Sequence, residues 1–165
     1  MKTALLAEPA MPSEFDLIQQ FFTRQTPSAV LGVGDDAALL QLSAGKLLAV
    51  SSDMLVAGRH FLPDTDPYLL GHKTLAVNLS DMAAMGATPR WATLALALPV
   101  VDKAWLSEFS RGFFDLADRF GVELIGGDTT AGPLNLCVTI FGETGARPLR
   151  RDAAQVGDDI PWPCP

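Results

Sequence analysis

The chain has 165 residues, 12 Lys+Arg against 19 Asp+Glu, a net charge of −7 and 48% hydrophobic residues. A chain of this length buries about two-thirds of its unfolded surface, so it fits one domain with a full core and is not disordered in bulk. Because nucleic-acid binders neutralise phosphates with clustered Lys and Arg, the acidic balance argues against nucleic acid as a partner.

The cysteines and the apolar stretches point to a cytoplasmic protein. Cys137 and Cys164 lack CxxC spacing, which favours neither a zinc site nor a disulfide framework. The longest apolar stretch, 91–101, is interrupted by Thr93 and falls short of the about 20 residues that span a bilayer. The first residues are too few for the apolar region of a signal peptide. We therefore expect neither export nor a membrane segment.

The first predicted element is a short amphipathic helix that begins after Ser13. Asp16 follows at the spacing of a capping box. The apolar residues that recur at helical spacing are Leu17, Ile18, Phe21 and Phe22. We expect residues 1–12, which precede this helix, to form a flexible N-terminus.

The next part of the chain is predicted to contain two strands. A glycine-rich turn at 32–36 leads into a strand at 37–42. Residues 46–54 form a predicted buried strand, with the Ser-Ser-Asp run at 51–53 at its C-terminal end.

The second half alternates helices and strands. Asp66 and Asp102 are predicted caps at the two helix starts, and Gly86 and Gly121 follow the two helix ends. The predicted elements are a helix at 66–85, a strand at 90–99, a helix at 102–120, and strands at 122–125 and 134–143. This order is typical of a mixed α+β protein.

Four aspartates occur where strands, turns or a helix end, and they are the candidate chemistry of the chain: Asp36, Asp53, Asp81 and Asp128. Carboxylates so placed can converge at one rim, and Mg²⁺ prefers oxygen ligands that it shares with substrate phosphates. Each aspartate taken alone is more typical of an ordinary turn or cap. Asp81 is the most telling, because its helix is otherwise largely apolar.

Several other residues have weaker signals. His60 suits either contact with a substrate phosphate or a structural hydrogen bond, and both alternatives stay open. His72 is assigned to the surface. Ser51 and Ser52 lack a G-x-S-x-G elbow, so oxygen ligation is favoured over nucleophilic attack. Neither a Walker A lysine motif nor G-x-G-x-x-G occurs. The residues expected to pack in the core are Met82, Met85 and Trp91.

Four motifs in fixed order make the chain recognisable: GVGDDAALL at 32–40, SSDMLVAGRHF at 51–61, KTLAVNLSDMAAMGA at 73–87 and GGDTT at 126–130. Together they closely resemble the thiamine-monophosphate kinase family, within the aminoimidazole-ribonucleotide-synthetase-like superfamily. The resemblance covers about 14–158. It implies an α+β domain with a mixed four-stranded sheet and helices on one face, whose sheet pairs with that of a second copy into a barrel.

The resemblance also implies domain bounds. Residues 13–151 would form an N-terminal domain that binds ATP and Mg²⁺ and dimerises. Residues 152–165 would be the truncated start of a linker to an absent C-terminal domain. The tail contains Pro161, Pro163 and Pro165, which exclude a central strand there.

Residue by residue, the resemblance implies a site made chiefly of oxygen ligands. Those expected to hold several Mg²⁺ ions are Asp36, Ser51, Ser52, Asp53, Asp81 and Asp128, with Asp35 ranked lower. Gly127, Asp128 and Arg151 would meet ATP, and His60 would touch thiamine monophosphate. The implied reaction is direct phosphoryl transfer from ATP to thiamine monophosphate, in thiamine diphosphate biosynthesis, with no catalytic side chain assigned beyond the metal cluster.

Two alternatives remain beside the kinase. The first is a truncated, non-catalytic module that binds Mg-nucleotide and dimerises. The second keeps the superfamily and changes the substrate, as in aminoimidazole ribonucleotide or selenophosphate synthesis. By resemblance only, the surroundings of His60 and Asp81 favour thiamine phosphate.

Overall fold

The computed structural model describes residues 13–158, so the expected flexible segment 1–12 and the proline-rich tail lie outside the described residues. The elements in chain order are a short helix α1 (Glu14–Leu17) continued by a π-helical turn (Ile18–Phe22), β1 (Leu47–Val56), α2 (Pro67–Ala84), β2 (Thr88–Leu98), α3 (Lys103–Phe120), β3 (Glu123–Ala131) and β4 (Asn135–Thr144). The predicted α+β class is confirmed. The expected domain bounds, 13–151, stay a prediction.

The strands form one mixed four-stranded sheet in the order β1-β4-β2-β3, as expected. β4 is antiparallel to both β1 and β2, whereas β2 and β3 are parallel and are joined through α3. α2 packs against α3 and against β4, β1 and β2. The helices therefore cover one face of the sheet. Within residues 13–158, no helix is both long and apolar enough to cross a membrane.

The predicted helix ends are confirmed by their hydrogen bonds. The Asp66 carboxylate accepts from the Leu69 N–H at 3.0 Å, and Pro67 occupies the first turn of α2. The Asp102 carboxylate accepts from the N–H groups of the first turn of α3. Gly121 ends α3 in the left-handed conformation, with φ +64°. Ser13 and Asp16 form the predicted capping box of α1.

The core lies between the helices and the covered face of the sheet. β2 and β4 contribute alternate residues to it, which is the pattern of strands with one buried face. Its fully buried large side chains include Leu75 and Met82 of α2, Phe109 and Phe113 of α3, and Leu96, Leu136, Val138 and Ile140 of the sheet.

Two strand predictions were wrong. Residues 37–42 form no strand, because their backbone pairs within its own loop, where Leu39 exchanges hydrogen bonds with Leu31. The strand predicted as buried is β1, which lies at the edge of the sheet and has mostly exposed or half-buried side chains. β1 also continues to Val56, so the run 51–53 lies inside it.

Two further predictions need correction. The strand predicted at 122–125 continues to Ala131 as β3, since it pairs with β2 along its length. Asp128 therefore lies inside a strand and not after one. Met82 and Trp91 are buried as expected, but Met85 is exposed because it follows the end of α2. His72 is exposed, as predicted.

Candidate metal and nucleotide site

The residues predicted to bind metal and nucleotide form two groups, at opposite edges of the sheet. Asp36, Gly127 and Asp128 lie at the β3 edge, where they line one cleft. Ser51 and Asp53 lie on β1, at the other edge, where Asp81 of α2 contacts Ser51. The motifs at 32–40 and 126–130 thus supply the residues at the β3 edge, and the motifs at 51–61 and 73–87 supply those at the β1 edge.

The cleft at the β3 edge has a volume of about 850 Å³. One wall is β3, and the other walls are the α1 segment and the glycine-rich loop at 33–38. Clefts of about 300–1,000 Å³ are the usual size of small-molecule sites. The two motifs that meet there are about 90 residues apart in the sequence, GVGDD at 32–36 and GGDTT at 126–130.

Gly127 contributes bare backbone to the lining of this cleft. Its φ is +151°, and an added Cβ would lie 1.9 Å from the Leu94 carbonyl oxygen of β2. A Cβ added at the neighbouring Gly126 would meet nothing within 4 Å. Only glycine fits at Gly127 without displacing the parallel pair of strands. The bare backbone at this point can also be approached closely by a ligand.

The glycine-rich loop presents two exposed aspartates that both line the cleft and differ in their hydrogen bonds. The Asp35 carboxylate accepts from the Asp36 N–H at 2.8 Å, so it braces the loop. The Asp36 side chain is exposed at the cleft. This difference agrees with the lower rank of Asp35 as a ligand, although the ligand roles themselves stay predictions.

At the β1 edge, a direct hydrogen bond joins two predicted ligands. The Ser51 hydroxyl donates to the Asp81 carboxylate across the contact between β1 and α2. Asp53 lies two residues further along β1 and is half-buried like Ser51. Because side chains alternate along a strand, Ser51 and Asp53 share the helix-covered face. Ser51 and Asp53 therefore both face the side of the sheet that α2, which carries Asp81, covers.

Ser52 is on the opposite, open face of the sheet. Its hydroxyl lies 2.7 Å from that of Thr139 and donates to the Val138 carbonyl oxygen at 3.2 Å. Asp128 also borders this open face, beside a shallow groove of about 190 Å³ that includes Met54 and Cys137. Ser52 is thus separated by the sheet from its neighbours Ser51 and Asp53.

The expected convergence at one rim is therefore not found within a single chain. Three strand spacings of about 4.8 Å, or about 14 Å, separate β1 from β3. Within residues 13–158, no three carboxylate, imidazole or thiol side chains are close enough to hold a metal ion by themselves. Mg²⁺, however, usually takes one or two carboxylates and completes its shell with water and substrate phosphates. The Ser51–Asp81 pair and the exposed carboxylates of the cleft fit that requirement.

The two remaining predicted contacts lie outside the cleft. His60 follows β1, and its Nδ1 accepts from the Val56 N–H at 3.1 Å. A neutral ring with that bond carries its proton on Nε2. Arg151 is exposed in a turn, next to an ion pair of Arg150 with Asp152 at 2.6 Å. His60 thus has the structural hydrogen bond that the sequence left as an alternative, and its ring keeps one donor.

The N-terminal wall of the cleft was missed by the sequence analysis. Phe15, Gln19 and Thr23 line it, together with Asp16 and Glu14. The usable signal was Phe15, an apolar residue two positions after the cap Ser13 that does not belong to the stripe assigned to the core.

Over most of the chain, comparison with known proteins finds the family that the four sequence motifs resemble. The family model described as AIR synthase related protein, N-terminal domain, matches residues 34–144. The thiamine-monophosphate kinase of Escherichia coli (strain K12) is 54% identical over 151 residues, which are 89% of this chain and 46% of that protein. The chain thus spans about half the length of the curated relatives it matches.

Solved structures agree with this comparison. The thiamine-monophosphate kinase from Stenotrophomonas maltophilia K279a is 56% identical, with a TM-score of 0.75 over 80% of this chain and 42% of that one. AaThiL complexed with AMPPCP and TMP is 32% identical, with a TM-score of 0.67 over 72% of this chain and 38% of that one. The fold, the order of the motifs and the family match coincide over the same residues. The chain therefore belongs to the AIR synthase related protein family and contains its N-terminal domain.

Proposed function

We propose that this chain is the Mg²⁺- and ATP-binding part of a thiamine-monophosphate kinase, which converts ATP and thiamine monophosphate into ADP and thiamine diphosphate. The observation that carries the proposal is the cleft at the β3 edge, where Asp36 and Asp128 meet the bare backbone of Gly127. The relatives named above support it, since one is complexed with AMPPCP and TMP.

The chemistry needs positioning and charge neutralisation more than a strong base. The attacking group is the terminal phosphate of thiamine monophosphate, which is already anionic at neutral pH, so no proton has to be removed by a side chain. The chain itself has a net charge of −7, which would repel two phosphorylated substrates. When bound, Mg²⁺ would supply the positive charge that offsets the phosphates and the carboxylates.

The residues divide these tasks. Asp36 and Asp128 in the cleft, and Asp81 and Asp53 with the two serines of β1, would hold the metal ions. Gly127 would admit the ATP phosphates close to the backbone. His60 would donate its Nε2–H to the thiamine phosphate, because its Nδ1 is already an acceptor. Arg151 would meet ATP from the exposed turn at the end of the domain.

We further propose that the protein acts as a homodimer, with the open sheet faces joined into a barrel. Val50 and Met54 expose 53% and 54% of their surface on that face. Within residues 13–158, no strand pairs with the outer edge of β1. An edge strand with exposed apolar side chains is a site where another chain can pair.

The alternative is a module that binds Mg-nucleotide and dimerises without turnover. The two ligand groups, which lie at opposite edges of the sheet, favour it for this chain acting alone. Residues 152–165 would then be the start of a linker toward a second domain. A change of substrate within the superfamily is the other alternative, and product analysis distinguishes it.

Calorimetry of ATP binding, with and without Mg²⁺, tests the proposal. ADP and thiamine diphosphate are measured in the same samples after thiamine monophosphate is added. We expect Mg²⁺-dependent binding of ATP that Asp128→Asn weakens by at least about 10-fold, because a charged ligand is lost. Asp64→Asn is the matched control, since Asp64 is an exposed aspartate outside the cleft lining.

The outcomes separate the candidate functions. Thiamine diphosphate formation identifies the chain as catalytically sufficient. Mg²⁺-dependent binding of ATP without product identifies the non-catalytic module. Binding of ATP that is equal with and without Mg²⁺, or equal weakening by both aspartate variants, would overturn the assigned ligand set.

A further inference from the structure

Phe15 is a largely exposed aromatic side chain on the wall of the cleft. It exposes 79% of its surface, and it lines the same cleft as Gly127 and Asp128. Phenylalanine leaves a large apolar area in water at such exposure. The residue is therefore placed to contact a flat ring inside the cleft.

The backbone that carries Phe15 is fixed on both sides. Before it, the Ser13 N–H donates to the Asp16 carboxylate at 2.8 Å, and the Asp16 N–H donates to the Ser13 hydroxyl at 3.2 Å. After it, Leu17 is buried. The exposed ring thus projects from an ordered turn, and its position is set by the fold.

The π-helical turn that follows attaches this wall to α3. Phe22 is buried and meets Phe109 edge to face, with ring centroids 6.4 Å apart. Thr23 closes the turn through its hydroxyl, which donates to the Ile18 carbonyl oxygen at 3.0 Å. π-Helical turns are rare and are frequent at functional sites. Here the turn places Phe22 in the core while Phe15 stays at the cleft.

The two walls of the cleft suit the two ends of a nucleotide. The β3 wall and the facing loop carry Gly127, Asp36 and Asp128, which suit metal-bound phosphates. The wall formed by α1 and the π-helical turn carries the exposed ring of Phe15 and the apolar side chain of Ile18, beside the carboxylates of Glu14 and Asp16. Aromatic side chains stack on bases of every type, because every base has a flat π face.

We propose that Phe15 stacks on the base of the bound nucleotide and so fixes its orientation while the β3 wall meets the phosphates. This inference depends on the proposed function, because it requires a nucleotide in this cleft. It goes beyond that function by assigning the base to the α1 wall.

The test compares two probes that differ in the base and ribose. Mg·ATP and Mg·tripolyphosphate are each titrated into the wild-type chain, Phe15→Ala, Phe15→Tyr and Phe120→Ala. We expect Phe15→Ala to weaken Mg·ATP by about 5- to 20-fold, since stacking on one ring is lost. Tripolyphosphate affinity should change less than about 2-fold. Phe15→Tyr keeps the ring and should keep the affinity for Mg·ATP.

Phe120→Ala is the matched control, because Phe120 is also an exposed phenylalanine but does not line the cleft. It should leave both affinities unchanged, and thermal unfolding of each variant reports whether the fold is kept. Equal weakening of both probes by Phe15→Ala would overturn the stacking role, and so would unchanged binding of Mg·ATP. Thiamine monophosphate is titrated into the same variants: if Phe15→Ala weakened its binding and left Mg·ATP binding unchanged, the ring would contact the acceptor instead, and this too would overturn the stacking role. If the wild type binds neither probe, the proposed function itself fails.

Discussion

The two faces of the sheet use the same strands for different purposes. On the helix-covered face, β4 contributes Leu136, Val138 and Ile140, all fully buried. On the open face, the alternate residues of β4 are only half-buried, among them Cys137 and Thr139. The side chains of β4 on one face are thus fully buried in the core, and those on the other face remain partly exposed.

The difference shows where each kind of residue can be placed. The centre of the helix-covered face is fully buried, so substitutions there mainly change the free energy of unfolding. The candidate ligands lie at the margins: the cleft at the β3 edge, the hydrogen bond of Ser51 with Asp81 at the β1 edge, and the open face with Ser52. We therefore expect substitutions in this buried centre to change the stability of the fold strongly. Substitutions at the sheet edges or on the open face should change mainly ligand binding.

The largest expected loss of stability comes from a substitution in the buried centre. Phe113→Ala should destabilise the fold by about 4 kcal/mol, because Phe113 is fully buried between the helices and the sheet and its removal leaves a cavity. Phe120→Ala, on the same helix, should cost about 1 kcal/mol, because Phe120 is 48% exposed. Chemical denaturation of both variants measures the difference. Equal losses of unfolding free energy would contradict the assignment of α3 to the core.

The next effect concerns two neighbouring glycines of β3, Gly126 and Gly127. Gly127→Ala should destabilise the fold by about 3 kcal/mol, since its Cβ would overlap the Leu94 carbonyl oxygen and its φ is +151°. Gly126→Ala should cost about 1 kcal/mol or less, because its Cβ meets nothing within 4 Å. Thermal unfolding ranks the two variants. The reverse ranking would show that β3 is not paired to β2 in the register described.

A third effect tests the open face by association. Val50→Glu should leave the unfolding free energy of the isolated chain within about 0.5 kcal/mol, because Val50 is exposed on an edge strand. If two copies join through this face, the buried charge should weaken their association by about 30-fold. Sedimentation over a concentration series measures this. Leu62→Glu is the control, since Leu62 is exposed outside the sheet; an equal effect of both variants would contradict this interface.

The sequence predicted the helices well because their signals are local. Asp66, Asp102 and Gly121 act within one turn of the helix ends that they mark, and all three predictions were correct. The strands were harder, because β1 reads as apolar but is an edge strand, which depends on the order β1-β4-β2-β3. Burial of a strand is decided by its neighbours, and these are distant in the sequence.

The candidate site shows the same division. The motifs located Asp36, Gly127 and Asp128, which the fold gathers in one cleft. They did not reveal that the β1 group lies at the opposite edge, because side-chain alternation and strand order act together to place it. Phe15 was missed because nothing in the sequence alone shows that this aromatic residue beside the core stripe lines a cleft. Contacts between distant elements had to be seen in the structure.

The smallest expected effect concerns Glu143 of β4, whose carboxylate is hydrogen-bonded to Ser43 in the loop before β1. Glu143 of β4 is buried, and its two oxygens accept from the Ser43 N–H at 2.6 Å and the Ser43 hydroxyl at 2.9 Å. The bond from the Ser43 backbone, with smaller help from its hydroxyl and from Arg90 and Lys46, holds the pKa of Glu143 below its ordinary value of 4.5. The ionised form is therefore favoured in the folded state.

The sign of the pH dependence follows from that lowered pKa. The folded state binds this proton less readily than the unfolded state, so the stabilisation is present above the ordinary value of 4.5 and is lost as the pH falls through the folded pKa. Glu143→Gln should lower the melting temperature at about pH 7 by a few degrees and lower it less at an acid pH below the folded pKa, where the wild-type carboxyl is protonated too. Glu108→Gln is the control, because Glu108 makes a surface ion pair with Arg111. An equal loss of melting temperature for Glu143→Gln at both pH values would show that the contact stabilises the loop through its shape and not through its charge. This edge of the sheet would then be stabilised by packing, as its centre is.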